Sequence, residues 1–296
     1  MMSNMQRRDF LKLGSGATVS LALGTAASGD EAKKTRKIKK AIMYGTIGFK
    51  GSVMEKLMAV KEAGFEGVEP RSHMNQDEVM KALDATGLKA ASVCCDTHWS
   101  QPLSHPDERK RQEGVEGLKV ALRDAKRYGA SSVLLVPGVV NKEVGYDDCF
   151  KRSVTEIKKV VPLADELGVK IAIENVWNNF ITKPEQAVAF LDEIGSPCVG
   201  WHFDIGNVIR YADSETWIPV LGKRILKLHI KEFSRNPSKS FNVKLFDGDN
   251  HWPAIMAALD RVGYDGWGIS EQPGDQSKDP AALKDLSDRM GKVFAS

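Results

Sequence analysis

Cysteine is scarce: Cys94, Cys95, Cys149 and Cys198 are the only four, and no two stand in a C-x-x-C pair. A disulfide-stapled scaffold or a thiolate zinc site is therefore not the basis of the fold, although a disulfide would be permitted in an oxidising compartment. No uninterrupted apolar run reaches the roughly 20 residues that a membrane-spanning helix needs. There is no P-loop and no G-x-G-x-x-G turn after the first apolar strand, which counts against an open dinucleotide-binding sheet. No Pro/Ser-rich linker divides the body. Charge of one sign is also missing, since 42 Lys+Arg face 39 Asp+Glu for a net of +3. That is not the balance of a nucleic-acid-binding protein.

What is present begins with QRRDFLKLGSGATVSLALGTAAS, residues 6–28: paired arginines, a weakly apolar run broken by Gly14, Gly16 and Gly24, then small residues. Arg7-Arg8-Asp9-Phe10-Leu11-Lys12 resembles a bacterial twin-arginine export signal, which implies the export machinery as a partner and a periplasmic destination. We expect a signal over 1–28, cleaved between Ala26 and Asp30. A basic linker is expected over 29–38, in which the run Lys33–Lys40 is solvated, and one catalytic domain over 39–296. Loss of Arg7, Arg8, Lys12 and Asp9 with the signal brings the formal charge from +3 to +1.

From residue 40 onward, short apolar runs alternate with segments of helical period. The strands read from the pattern are 40–45, 67–70, 89–95, 132–138, 170–175, 199–204, 226–231 and 266–272. Gly64, Gly87, Gly129, Gly168, Gly195, Gly222 and Gly263 are placed to close the intervening helices, and Pro184, Pro253 and Pro280 to open three of them. Eight strand–helix units with right-handed crossovers predict parallel strands and a single (β/α)8 TIM barrel.

In such a barrel the C-terminal strand ends build the active site. Polar residues there are Glu69, Asp96, His98, Glu174, Asp204, His229 and Glu271. Strand parity turns Glu174 inward with Ile171 and Ile173 outward, Asp204 and His202 inward with Trp201 and Phe203 outward, and His229 inward with Leu226, Leu228 and Ile230 outward. Strand eight fits less cleanly, because an inward Glu271 carries Ile269 and Trp267 in with it and leaves Gly268 and Ser270 against the helices. Three carboxylates and an imidazole at one mouth would repel and suffer desolvation unless a cation joined them. Three oxygen donors and one nitrogen suit Mn²⁺ first, then Mg²⁺ or Co²⁺, with Zn²⁺ also compatible.

These residues, with the stretches MYGTIG, GFEGVEP, IAIENV, FDIGN, LHIKEF and GYDGWGISEQ, resemble the xylose-isomerase-like barrel superfamily. This is the sugar phosphate isomerase/epimerase group that includes ketose 3-epimerases, hydroxypyruvate isomerase and inosose dehydratase. The resemblance implies a metal held by Glu174, Asp204, His229 and Glu271, with Glu174 and Glu271 moving protons. It implies Arg235 as a substrate-holding arginine, and a homo-oligomer as in many relatives. Where many relatives carry D-x-x-H, this chain has Asp204-Ile205-Gly206-Asn207, and Asn207 hydrogen-bonds but does not titrate. The superfamily's multi-zinc endonuclease for abasic DNA needs histidines that Asn207 and residues 240–249 do not supply.

The chemistry implied is proton abstraction beside a carbonyl through a metal-stabilised enediolate, giving a sugar isomerase or epimerase. A 3-keto-glycoside eliminase would use the same site, with His98 or His202 as acid for the leaving group. A non-catalytic periplasmic sugar-binding protein is the alternative of a different class. Glu69, His98, His202, Asn207, Lys231 and Arg235 are the candidate substrate-binding residues, with Glu69 also suited to orienting a ligand. Trp99, Trp177 and Trp252 are candidates for an apolar wall against the sugar. No clustered arginines mark a phosphate site.

Overall fold

The computed structural model describes residues 36–296. The expected export signal and most of the linker lie outside the described residues. The end of that linker is solvated only in part: Lys37 and Lys39 are exposed, but their neighbours Arg36 and Ile38 are tied to the body. Arg36 forks onto Asp260 at 3.0 and 3.1 Å and donates to the carbonyl oxygens of Phe294 and Ser296, while Ile38 is buried. A guanidinium presents parallel donors that a carboxylate can accept together, so one residue ties the start of the barrel to its last helices.

Among the described residues the strands are β1 (Lys39–Met43), β2 (Gly67–Glu69), β3 (Lys89–Ala90), β4 (Val93–Cys94), β5 (Ser132–Leu135), β6 (Lys170–Glu174), β7 (Val199–Asp204), β8 (Ile225–Ile230) and β9 (Trp267–Ser270). They run parallel in the order β3-β2-β1-β9-β8-β7-β6-β5-β4. The strand expected over 89–95 is therefore two pieces: β3 pairs with β2 and β4 with β5. Between and beside them Ala91 N–H donates to Val68 O at 2.9 Å and Cys94 N–H to Pro70 O at 2.8 Å. The one segment thus bonds to both neighbours and brings the two sheet edges together as a barrel. Ser92 Oγ, at the break, donates to Ser132 O.

Helices α1 (Val53–Glu62), α2 (Gln76–Thr86), α3 (Glu108–Tyr128), α4 (Tyr146–Leu167), α5 (Pro184–Ile194), α6 (Ile205–Val208), α7 (Ser214–Leu221), α8 (Trp252–Val262) and α9 (Pro280–Ala295) surround the strands. In α3 the Asp107 side chain caps the first turn by accepting from Arg109 N–H, and Val115, Leu118, Leu122 and Ala125 form the buried stripe, the three-and-four spacing of one helix face. The seven glycines expected to end helices all have positive φ, from 54° to 90°.

The parity reading holds. Ile171, Ile173, Trp201, Phe203, Leu228 and Ile230 are buried in the main core with the helices. Inside the barrel Ala41, Ala91 and Ile269 form a second, small cluster, with Met43 and Trp267 against it. Strand β8 begins one residue earlier than expected, and the β7–β8 register shifts at Trp201/His202. The awkward last strand has a packing reason. A Cβ on Gly268 would lie 2.5 Å from Phe294 Cζ and 3.1 Å from Ile230 Cγ1, so its bare backbone lets α9 close onto β9 while Ile269 fills the interior.

Candidate active site

Four strands deliver one side chain each to a single point. Glu174 ends β6, Asp204 ends β7, His229 lies near the end of β8 and Glu271 follows β9. One ligand atom from each of the four lies within 4.8 Å of all the others. His229 Nδ1 is 2.8 Å from Glu174 Oε1, 3.2 Å from Glu271 Oε2 and 3.9 Å from Asp204 Oδ2. Lys231 Nζ closes the group, 2.8 Å from Glu271 Oε2 and 3.5 Å from Asp204 Oδ2.

The electrostatics of this cluster are strained. Burial, with the Glu271 and Glu174 charges adding to it, pushes Asp204 well above the carboxylate range, and burial likewise raises Glu174. Burial works against the charge of Glu271 too, but Lys231 and His229 outweigh it and hold its carboxyl low. Lys231 is held above the ordinary lysine value, against burial, by Glu271 and Asp204. Burial thus works against the charge of two of these carboxyls beside the third, and more positive charge would offset it. A divalent cation supplies it, and three oxygens with one imidazole nitrogen form a suitable donor set. The residues present fit a metal ion.

Backbone and neighbours fix the ligands. Asn175, next to Glu174, donates through Nδ2 to Asp204 O and accepts at Oδ1 from Asp204 N–H and Trp201 Nε1–H. Asp204 Oδ1 accepts from Asn207 N–H at 2.8 Å, capping α6. A Cβ on Gly206 would sit 2.7 Å from Lys231 O, so only glycine lets α6 lie against the end of β8. The role of Asn175 was open to sequence reasoning, since it stands beside Glu174 in IAIENV.

Over the cluster lies a cavity of about 240 Å³ whose lining includes Glu174, Glu271, Lys231, Asn207, His98, Cys94, Trp99, Trp177 and Phe241. Asn207 Nδ2 donates to Asn175 O, leaving its Oδ1 3.4 Å from Lys231 Nζ. Trp177 donates through Nε1 to Asn207 O and packs on Phe241. Trp99 stands 53% exposed at the rim. Burial, followed by the charges of Glu69 and Glu174, raises the Cys94 thiol well above its ordinary value. Phe241 belongs to the long connection after β8, where periodicity carries no information. That connection hangs on Glu232, which accepts from the N–H groups of Phe233, Phe246 and Asn250 and from Trp252 Nε1–H.

Other expected residues stand apart from the cavity lining. Arg235 is pulled aside, donating to Asp213 Oδ1 at 2.6 Å and to Ile209 O. Trp252 is buried and held by Glu232. Glu69 and His202 are fully buried beneath the mouth, where Glu69 Oε1 is 3.2 Å from His229 Nε2 and the His202 ring centroid is 4.1 Å from that of His229. Asp96 pairs with Arg71. His98 does line the cavity, with Nδ1 accepting from Val136 N–H at 3.2 Å. Burial lowers its pKa to about 4, so at neutral pH it is an uncharged donor through Nε2 and not the cationic acid an elimination would use. Burial, then His229 and Lys227, lowers His202 well below the usual range.

Among curated proteins, the L-ribulose-5-phosphate 3-epimerase UlaE of Salmonella typhi is 23% identical over 248 residues, 77% of this chain and 85% of that one. UlaE of Escherichia coli K12 is 22% identical over 244 residues, with the same shares. Among solved structures, 3-keto-D-glucoside 4-epimerase YcjR from E. coli superposes with TM-score 0.74 at 17% identity, covering 88% of this chain and all of its own. An L-ribulose 3-epimerase gives 0.74 at 20% identity over 87% and 94%. IolI with a bound zinc atom gives 0.76 at 18% over 87% and 98%. The family model described as "Xylose isomerase-like TIM barrel" matches residues 57–292, and the chain belongs to that family.

Proposed function

We propose that this protein is a divalent-metal-dependent sugar epimerase or isomerase that moves a proton on the carbon beside a carbonyl. The observation that carries the reading is the convergence of Glu174 and Glu271, 2.8 and 3.2 Å from one imidazole nitrogen, on the floor of an aromatic-walled cavity. An ion held by Glu174, Asp204, His229 and Glu271, with Mn²⁺ first and Mg²⁺, Co²⁺ or Zn²⁺ as alternatives, would polarise the substrate carbonyl. Glu174 and Glu271 come from strands on either side of β7 and β8, so one carboxylate takes the proton and the other returns it. Return to the opposite face of the same carbon inverts it; return to the neighbouring carbon isomerises the sugar. Lys231 and Asn207 are placed to hold substrate oxygens, and His98 to donate a neutral hydrogen bond. The names of the curated relatives and structural neighbours, most of them sugar 3-epimerases, support the same class.

A second reading, action on a 3-keto-glycoside, is favoured by two features of the cavity. Its lining includes one cation, Lys231, already paired with Glu271 at 2.8 Å, which suits an unphosphorylated sugar. The exposed Trp99 offers a flat apolar face to a group attached to that sugar. Export to the periplasm is part of the proposal and rests on residues 6–28, outside the described residues.

The test is elemental analysis of the purified protein followed by ¹H NMR in D₂O with ketoses and 3-keto-glycosides. Deuterium should enter a carbon next to the carbonyl, and Glu174→Gln and Glu271→Gln should each slow that exchange by about 10²–10⁴-fold. An epimer identifies epimerase chemistry, and released aglycone identifies elimination. A metal-loaded wild type that exchanges nothing across the panel refutes the enzyme reading and returns the sugar-binding one.

A further inference from the structure

We infer that Glu69 is a positioning residue for His229, holding the imidazole from below so that its Nδ1 lone pair faces the metal position. This rests on the metal reading above. His229 has two nitrogens with different surroundings. Nδ1 faces Glu174, Glu271 and Asp204, and Nε2 faces Glu69 Oε1 at 3.2 Å. A neutral imidazole carries one N–H, and a carboxylate can only accept. With Glu69 accepting from Nε2–H, the hydrogen lies on the lower nitrogen and the lone pair on the upper one. A neutral side chain at position 69 would leave both tautomers available, and one of them turns an N–H toward the cation.

The surroundings support a dedicated role. Glu69 is completely buried and comes from β2, across the barrel from β8. Its carboxylate makes one side-chain hydrogen bond among the described residues, to His229, and its Oε2 has no hydrogen-bond partner, with His202 Nδ1 at 4.0 Å. A buried carboxylate kept for packing alone would be expected to gather several donors, as Glu232 does with four. His202, also fully buried and with neither nitrogen bonded, packs against the His229 ring with the planes inclined at 63° and restricts its rotation. Glu69 thus sets which nitrogen is protonated and His202 limits how the ring turns. An anion behind a ligating imidazole also makes it a stronger electron donor, and removing such partners typically weakens metal binding by 10–100-fold.

Co²⁺ alone serves as the probe, titrated into chelator-stripped protein and followed by its visible absorption. Glu69→Ala should weaken Co²⁺ binding by about 10–100-fold and alter the absorption band, because the ligand field changes with the imidazole's orientation. Glu69→Gln keeps the size and an acceptor but loses the charge, and should fall between wild type and Glu69→Ala. The melting point of each stripped variant is read in parallel. A drop in melting with wild-type affinity and spectrum makes Glu69 a packing residue and overturns the inference. Should Glu69→Ala fail to fold, wild-type affinity and spectrum in Glu69→Gln overturn it equally. Wild type that takes up no Co²⁺ removes the metal reading and this inference together. Tight Co²⁺ binding without proton exchange on any sugar removes only the enzyme reading.

Discussion

Replacing Lys231 by Met takes the ammonium away from two carboxylates, 2.8 Å from Glu271 Oε2 and 3.5 Å from Asp204 Oδ2. The lysine side chain is 13% exposed and that of Glu271 21%, so water screens the pair weakly. At an effective dielectric near 20, unit charges at the closer distance attract by about 6 kcal/mol. Dehydration of both ions cancels part of that, and removing one partner of a buried pair costs about 3–5 kcal/mol net. Since each kcal/mol moves the melting point of a domain this large by roughly 2–4 °C, metal-stripped Lys231→Met should melt roughly 6–20 °C below wild type. The double variant Lys231→Met/Glu271→Gln should recover part of the loss, because the nearer of the two carboxylates no longer faces the missing charge, while Asp204 still does. Excess Mn²⁺ should narrow the gap for the same reason. Scanning calorimetry at neutral pH, in chelator and in Mn²⁺, measures all of these. A stripped single variant within roughly 2 °C of wild type, or a double variant no better than the single, would refute the electrostatic account of the site.

Two further outcomes follow from named contacts. Burial lowers the His98 pKa from 6.5 to about 4, so its folded form takes up a proton later than its unfolded form as pH falls. The stability this lends is present above pH 6.5 and is lost on the way down to about 4, by about 3 kcal/mol in all. His98→Asn keeps an acceptor for Val136 N–H and cannot titrate, so denaturant midpoints measured between pH 7 and 4 should fall less steeply than in wild type; parallel curves would contradict the shift. Gly206→Ala places a methyl group 2.7 Å from Lys231 O, backbone that cannot step aside. Relief by moving α6 should cost about 1–3 kcal/mol and loosen Asp204 two residues away, read as weaker Mn²⁺ affinity; unchanged affinity would separate α6 from the metal position.

Much of the fold was legible because a helix-covered parallel strand leaves a strong imprint: Ile171 and Ile173 must face helices, so Ala172 between them and Glu174 after them must face in. The same arithmetic brought Asp204 and His229 to the correct side, and the ends of strands are where barrel chemistry gathers. Depth was not legible. Glu69 ends β2 and His98 follows β4 by four residues, yet one is sealed under His229 and the other lines the cavity. Arg235 was beyond reach for another reason. Its guanidinium is claimed by Asp213, a loop residue whose approach depends on tertiary structure. The break in the third strand and the aromatic wall from Phe241 likewise depend on contacts between segments that no local period encodes.

Strand β8 shows how the same residue type at two heights becomes two different groups. Lys227, His229 and Lys231, just past its end, alternate on its inner face, a column of basic side chains in an interior that holds Glu69, Glu174, Asp204 and Glu271. Lys227, the lower lysine, bonds only the uncharged Ser131 Oγ, at 2.9 Å, and burial pulls its pKa down to about 8 despite the Glu69 charge. Lys231, two turns of the pleat higher, is buried as well, but Glu271 and Asp204 hold it above the ordinary value. Burial alone cannot account for opposite shifts on one strand face; the difference is the direct carboxylate contact. The upper lysine therefore belongs to the charge balance of the site. The lower one has no carboxylate within hydrogen-bond reach, only the Ser131 hydroxyl, so burial prevails.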